Sequence, residues 1–413
     1  MHMPVEQVAA AGLAKTETAQ RPRVLVCVPR YLPGFKSGGP IRSVSNMVAN
    51  LSPHFEFHVV TRDRDAMDKR SYPGVCPGKW YQVGGAQVLY CSSIRRAVLL
   101  QAYNYVQPDL ILLNSFHDDF SRAMLLHRLM GKLGRTPVIL APRGEFSPGA
   151  LQIRRWKKIV YRFGAMAINL YEGLWWQATS GREKDEILSA SPARRMSSER
   201  ILVAHNINDS PTPSAHHPGK TRGDVKIAFI SRINEKKNLH FISDIARDIR
   251  GRLELNVYGP IADKDVKYWK FCEGLFADLP TNISVAYHGS LDHSRVPGVL
   301  HGHHFFLLPT KGENFCHSAV ESFTNGTPVL LSDRTPWTNL NEAKAGFDIS
   351  LSDRKGWVSA LQYCVDMDQD TYTEYVHGTL EFSCRFSIQR AVQEHVDMLR
   401  AAINGGAEAP TLM

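Results

Sequence analysis

The chain has 413 residues, of which 43% are hydrophobic and 22% charged, and a net charge of +9. That length favours two domains over one core, the apolar share excludes a disordered chain, and no apolar run reaches the roughly 20 residues that span a bilayer. The seven cysteines (Cys27, Cys76, Cys91, Cys272, Cys316, Cys364, Cys384) form no CxxC pair, which argues for a reducing compartment and against a disulfide framework or zinc knuckle.

Residues 1–22 have no basic region followed by an apolar core, so they read as a disordered small-residue tail and not as a secretory signal. A cytoplasmic location is expected. "RVLVCVPR" (23–30) has the β-branched run of a buried strand. The Gly/Pro loop "YLPGFKSGGP" follows, then the helix-like "IRSVSNMVANLS". Further strands are expected at "FEFHVVT", "AQVLYCS", "DLILLNS", "PVILAPR" and "WWQATS", with helical segments such as "FSRAMLLHRLMGKLG" between several of them. The Pro/Ser/Asn-rich stretch 206–224 reads as a linker. Alternation then restarts with strands at "VKIAFIS", "LELNVYG", "ISVAYHG", "HHFFLLPT" and "PVLLSD", and the chain ends in the helix-like "SIQRAVQEHVDMLRAAING". This is an α/β pattern with mostly parallel sheets. It predicts Rossmann-like domains at 23–205 and 225–385, and a final helix within 386–413 that packs back on the first domain. Neither half contains GxGxxG, so a dinucleotide redox cofactor has no support.

The charge is uneven: residues 1–210 carry +12 and residues 211–413 carry −3. The densest basic cluster, "QIRRWKKIVYRF" (152–163), interleaves Arg154, Arg155, Lys157, Lys158 and Arg162 with aromatic and aliphatic residues. Such a helix can lie on an anionic membrane or bind nucleic acid. It can equally be a solvated basic face whose apolar side packs inward. The imbalance favours an anionic partner for the first domain.

Ligands of open α/β sheets sit beyond the carboxyl ends of the strands. In "KSGGP", Gly38 and Gly39 let the backbone approach a ligand, and the next helix offers free N–H groups to an anion. In "SRINEKKN", Arg232 and Lys237 can converge on a diphosphate. In "KGENFCHSAVE" (311–321), Glu313 lies on a loop and Glu321 on the following helix. The start of that helix, near Cys316, His317 and Ser318, suits a phosphate. His117, with Asp118 and Asp119, occupies the strand-end loop "NSFHDDF", and "PRGEF" supplies Arg143 and Glu145. A solvated charged loop, an exposed histidine and a loop-ordering Arg–Glu pair are the plainer readings of these stretches. "HGHH" (301–304) has no neighbouring cysteine or carboxylate to complete a metal site, so it reads as a helix end and strand start.

Taken in order, these stretches resemble one family. The E-x7-E pattern "ENFCHSAVE", the strand entry "GTPVLLSD", the GG loop, the Arg…Lys loop and the linker "HNIND" are similar to the GT-B glycosyltransferases of the retaining group called family 4, or glycosyl transferases group 1. "APRGEFSPGAL" (141–151) is similar to a subgroup signature in bacterial surface polysaccharide synthesis. The resemblance implies two Rossmann-like domains facing each other across a donor cleft, the first for the acceptor and the second for a nucleotide-sugar. It implies that Glu313 faces the donor sugar and Glu321 holds the ribose. The stretch Asn314, Phe315, Cys316, His317 and Ser318 would then lie at the sugar–phosphate junction. Arg232 and Lys237 would stabilise the leaving diphosphate, His117 would lie near the anomeric centre, and Arg143 and Glu145 would sit on the acceptor side. No cofactor or metal is implied beyond a nucleoside-diphosphate sugar as donor substrate. The implied acceptor is a glycan, lipid-linked, at the inner membrane surface, with no nucleic acid. The sequence departs from the family's E-G-F-G at Asn314 and Cys316, and Asn238 stands where the Lys loop usually ends in Gly. A sugar-nucleotide epimerase of the same fold, and a non-catalytic protein binding anionic membrane or nucleic acid through 152–163, remain as alternatives.

Overall fold

The computed structural model describes residues 21–36, 39–66, 68–147, 155–190, 196–208 and 217–407. The expected tail up to residue 20, Gly38, residues 152–154 and the middle of the linker lie outside these. The first sheet has eight strands: β1 Arg23–Cys27, β2 Glu56–Arg62, β3 Trp80–Val83, β4 Ala86–Cys91, β5 Leu110–Asn114, β6 Val138–Ala141, β7 Trp175–Ala178 and β8 Ile201–Val203, in the order β3-β4-β2-β1-β5-β6-β7-β8. Every pairing is parallel except β3–β4. The second sheet is wholly parallel: β9 Asp224–Ile230, β10 Arg252–Tyr258, β11 Ile283–Tyr287, β12 Phe305–Leu308, β13 Val329–Ser332 and β14 Gly346–Ile349, in the order β11-β10-β9-β12-β13-β14. Helices cover both faces, so the central strands are apolar without alternation; "LILLN" of β5 and "VLLS" of β13 are buried throughout.

In each sheet the chain reverses its direction of travel beside the first strand. β1 lies between β2 and β5, and β9 between β10 and β12. Loops leaving neighbouring strands on either side of such a switch point enclose a crevice. The loops after β1 and β9 are "YLPGFKSGGP" and "SRINEKKN", and the loop after β12 leads to Glu313.

The last helix, Ile388–Ala407, leaves the second half. It packs Ala391, Val396, Met398, Leu399 and Ala402 into the core beneath β1, β2 and β5. Its 3–4-residue apolar spacing is the stripe a packed helix needs. His395 on the same face is 2% exposed and meets Gln177 of β7 at 3.2 Å; burial pulls its pKa down to about 4, so it stays neutral.

The helix Arg155–Ala167 lies opposite to the inward-packing reading. Trp156, Val160 and Phe163 are 67%, 61% and 63% exposed, and Ile159 is 39% exposed, while Ala165 and Tyr161 turn to the core. Positions 156, 159, 160 and 163 share one face of a helix. The core side needs only the small Ala165 and the Tyr161 ring, whose hydroxyl meets that of Tyr171 at 2.5 Å. The larger apolar side chains are therefore left outward.

Candidate active site

A cleft of about 430 Å³ lies between the two sheets, lined by residues of both halves. On its second-half wall, Lys237 and Glu313 meet because β9 and β12 are neighbours. Lys237 Nζ donates to Glu313 Oε1 at 2.7 Å, and the Thr310 hydroxyl donates to the same oxygen at 2.8 Å. Burial alone would push the Glu313 carboxyl up. The charges of Lys237 and Lys236 and these hydrogen bonds outweigh it and hold the carboxyl below the usual range. Arg232 lines the same wall and is exposed. The Lys loop is a short 3₁₀ turn, Glu235–Lys237, in which the Asn234 side chain accepts from Lys237 N–H at 3.2 Å. Asn238 closes it at φ +60°, the left-handed region where Asn is the best substitute for Gly.

The helix His317–Thr324 begins at the cleft, with Cys316 as its N-cap at φ +66°. The chain turns there as it would on a glycine, at a cost of about 1 kcal/mol. The thiol points away into the core of the second half, where it is 5% exposed and pushed up to about 12 by burial. It is a buried neutral side chain with the backbone at the cleft. Phe315 is buried against His317 and Trp337. Ser318 lines the cleft at the helix start, where the first-turn N–H groups have no partner within the helix.

The first half reaches across from the helix Gly39–Leu51. Arg42 forms an ion pair with Glu321 and also contacts His293, and Ser43 Oγ lies 3.1 Å from His317 Nε2. Gly39 permits this approach, since a Cβ there would sit 3.0 Å from His317 Cδ2. Asn314 also crosses the cleft, with its amide directed at Thr179 and Glu183. Sequence reasoning did not single out Arg42, Ser43 or Lys236. Arg42 and Ser43 stand in the first turn after the GG loop, and Lys236 precedes Lys237, so adjacency was the available signal.

The first-half loops differ from expectation in three places. His117 does not line the cleft: its ring packs on Phe116 (centroids 4.7 Å apart) and Tyr161 (5.6 Å). Asp118 is the N-cap of the helix Asp119–Leu129, accepting from Phe120 N–H, and Asp119 pairs with Arg122. Glu145 faces the strand-end turn, not an open acceptor side. It accepts from the Ser115 hydroxyl at 2.7 Å, Phe116 N–H at 2.6 Å and His117 N–H at 3.0 Å. A turn that holds Ser115 at φ +81° leaves its N–H groups converging, and a carboxylate satisfies them. Arg143 does line the cleft, anchored on Asn114 and on Asn206 at the start of the linker. Burial lowers it to about 10, so it remains charged at neutral pH. His301 ends the helix Val296–His301 and His304 is 3% exposed just before β12, as the strand-start reading has it.

Residues 215–359 match the family described as Glycosyl transferases group 1. Solved structures with the same fold include HepE of Anabaena in complex with UDP and glucose (14% identity, 92% of this chain and 100% of that chain, TM-score 0.66). They also include sucrose-phosphate synthase from Thermosynechococcus elongatus (13%, 93% and 100%, TM-score 0.67). A third is WaaG, a glycosyltransferase involved in lipopolysaccharide biosynthesis (12%, 91% and 99%, TM-score 0.60). No curated protein matches the chain in sequence. The chain thus has the two-domain GT-B fold, and residues 215–359 of its second half are similar to the glycosyl transferases group 1 family.

Proposed function

We propose that the chain is a retaining hexosyltransferase. It moves a hexose from a nucleoside-diphosphate sugar to a lipid-linked glycan acceptor in polysaccharide biosynthesis, at the cytoplasmic face of the membrane. The observation that carries this reading is the Glu313–Lys237 pair at 2.7 Å, with Arg232 and the start of the His317–Thr324 helix on one wall of the cleft. A carboxylate held charged accepts the hydroxyls of the donor hexose. The cations and the helix start neutralise charge on the diphosphate as the sugar C1–O bond breaks, which suits metal-independent transfer. The acceptor hydroxyl forms the new C1–O bond on the same face, and its proton passes to the departing diphosphate. Glu321, one turn into the helix, accepts the ribose hydroxyls in place of Arg42.

HepE has been solved with UDP-glucose, so UDP-sugars come first in the test. Thermal unfolding is followed with UDP-, GDP- and ADP-sugars in the presence of EDTA. One nucleotide-sugar is expected to raise the transition by a few degrees, since a ligand at about 100 times its Kd adds roughly 2.7 kcal/mol. No shift from any of them, with EDTA or with magnesium or manganese restored, overturns the donor cleft.

The outward face of the helix Arg155–Ala167 supports the membrane part of the reading. Its exposed Trp156, Val160 and Phe163 share a helix with four basic residues, Arg155, Lys157, Lys158 and Arg162. Apolar side chains entering the interface and cations at anionic headgroups give additive affinity. The protein is expected to sediment with vesicles containing phosphatidylglycerol and far less with phosphatidylcholine alone. Trp156→Glu with Phe163→Glu should lower that binding at least about tenfold. Equal binding by the double variant removes this face from the reading.

A further inference from the structure

Asn314 follows Glu313 directly, and its side chain leaves its own half. The amide donates to Thr179 Oγ1 at 2.9 Å and to Glu183 Oε2 at 3.1 Å, both in the first half. Glu183 lies in the first turn of the helix Gly181–Ala190 and is 1% exposed. Its Oε1 accepts from Gly144 N–H at 2.6 Å; its Oε2 accepts from Thr179 N–H at 2.8 Å and from the Thr179 hydroxyl at 2.7 Å. An ionised carboxylate only accepts, so a neutral donor from the facing half fits it and an acceptor does not. Gly144, at φ +77°, makes the approach possible: a Cβ there would stand 2.7 Å from Asn314 Cβ. On either side of Gly144, Arg143 and Glu145 hold the ends of the strand-end loops after β5 and β6. The contact therefore joins the loop carrying Glu313 to the loops of the first half. Arg42–Glu321 and Ser43–His317 also cross, further along the helix.

We propose that Asn314 is a positioning residue whose amide, donated to Glu183 across the cleft, fixes the closed register in which Glu313 faces the first half. Its kinetic consequence rests on the transferase reading; the contact itself does not. A glycine at 314 supplies no donor. An aspartate at 314 sets its own carboxylate against that of Glu183, and the two repel when both are ionised and bind tightly when they share one proton. Other charged groups facing the pair are Arg143 from the loop after β6 and Glu186 with its partner Arg182 on the helix of Glu183; Glu313, next to Asn314 in sequence, is turned to Lys237.

The test uses the full chain as wild type, Asn314→Asp and Asn314→Gly. Domain separation is read by small-angle scattering, and kcat and KM for the donor are measured from pH 5.5 to 8.5. At pH 8, Asn314→Asp is expected to be more extended than wild type, with kcat lowered at least about tenfold and KM within about threefold. Both should return toward wild type near pH 6, as a proton enters between Asp and Glu183. Asn314→Gly should be impaired at every pH and should not recover. Wild-type scattering and kcat in Asn314→Asp at pH 8, or a pH profile parallel to that of Asn314→Gly, overturns the proposal. If Asn314→Asp does not fold, Asn314→Gly decides: wild-type scattering and kcat in that variant overturn it, and an extended form with lowered kcat supports it. If wild type binds no nucleotide-sugar, the transferase reading fails, and the scattering comparison still decides the contact.

Discussion

Lys237→Met is expected to lower kcat by about 10²- to 10³-fold and to move the acid limb of the pH–rate profile upward. The first effect follows from removing a fixed cation from the wall proposed to face the departing diphosphate, the magnitude typical of losing one electrostatic contact in a water-poor site. The second follows from Glu313. Its side chain is 12% exposed, and its burial is countered mainly by Lys237 at 2.7 Å and by the charge of Lys236. With the nearer cation gone, burial dominates and the carboxyl pKa rises. The sign can be checked by linkage. A carboxyl whose folded pKa lies below its unfolded value, about 4.3 for Glu, contributes stability that is complete above that value and is lost as pH falls through the lowered one. Wild type should therefore keep both activity and this share of stability well into the acid range. Lys237→Met should lose activity at a higher pH. Glu313→Gln keeps the shape and removes the charge; it should lower kcat strongly and abolish this limb. The measurement is kcat/KM against pH for the three proteins. A Lys237→Met profile coincident with wild type would remove Lys237 from the chemistry.

The fold was legible because buried parallel strands are written as short apolar runs, and these runs located β1, β2 and most of the central strands. The edges were not. β3 is the antiparallel edge strand "WYQV", β8 has three residues, and β14 reads "GFDI"; none carries a long apolar run, since an edge strand buries less. Within the site, residues close in sequence were legible: the E-x7-E segment and the Arg…Lys loop each lie on one wall. What joins the walls was not. Arg42 meets Glu321 and Asn314 meets Glu183 across long sequence separations, and spacing holds no information about such pairs. His117 illustrates a different limit. A histidine in a strand-end loop can face the crevice or the neighbouring helix, and here Tyr161 on the outward-facing helix supplies the surface it packs on. The aspartate after it was readable, since Asp followed by "DFSRAM" is an N-cap pattern.

Lys220→Met should destabilise the second half by about 1–2 kcal/mol, although the residue does not line the cleft and forms no ion pair among the described residues. Lys220 is 5% exposed at the end of the linker. Its ammonium donates to Thr221 O at 2.9 Å, Val365 O at 2.9 Å and Met367 O at 3.0 Å, using all three N–H bonds. Two of those carbonyls end the helix Arg354–Asp366, where the last carbonyls have no partner within the helix and a cation also meets the negative end of the dipole. Burial lowers the lysine pKa from its usual value. Methionine has nearly the same volume and no donor, so packing survives while Met367 O loses the ammonium and Val365 O and Thr221 O keep only the N–H groups of Gly223 and Asp224. A carbonyl left without its partner costs on the order of 1 kcal/mol or more. The same lysine ties the linker to the second half through its backbone N–H, which donates to Gln369 Oε1 at 2.7 Å; this bond does not depend on the side chain and should remain. Urea unfolding of Lys220→Met should show a lowered midpoint with an unchanged slope, because the exposed surface is the same in both proteins. A midpoint equal to that of wild type would mean that water replaces the ammonium at no cost, and Lys220 would be a surface residue in effect.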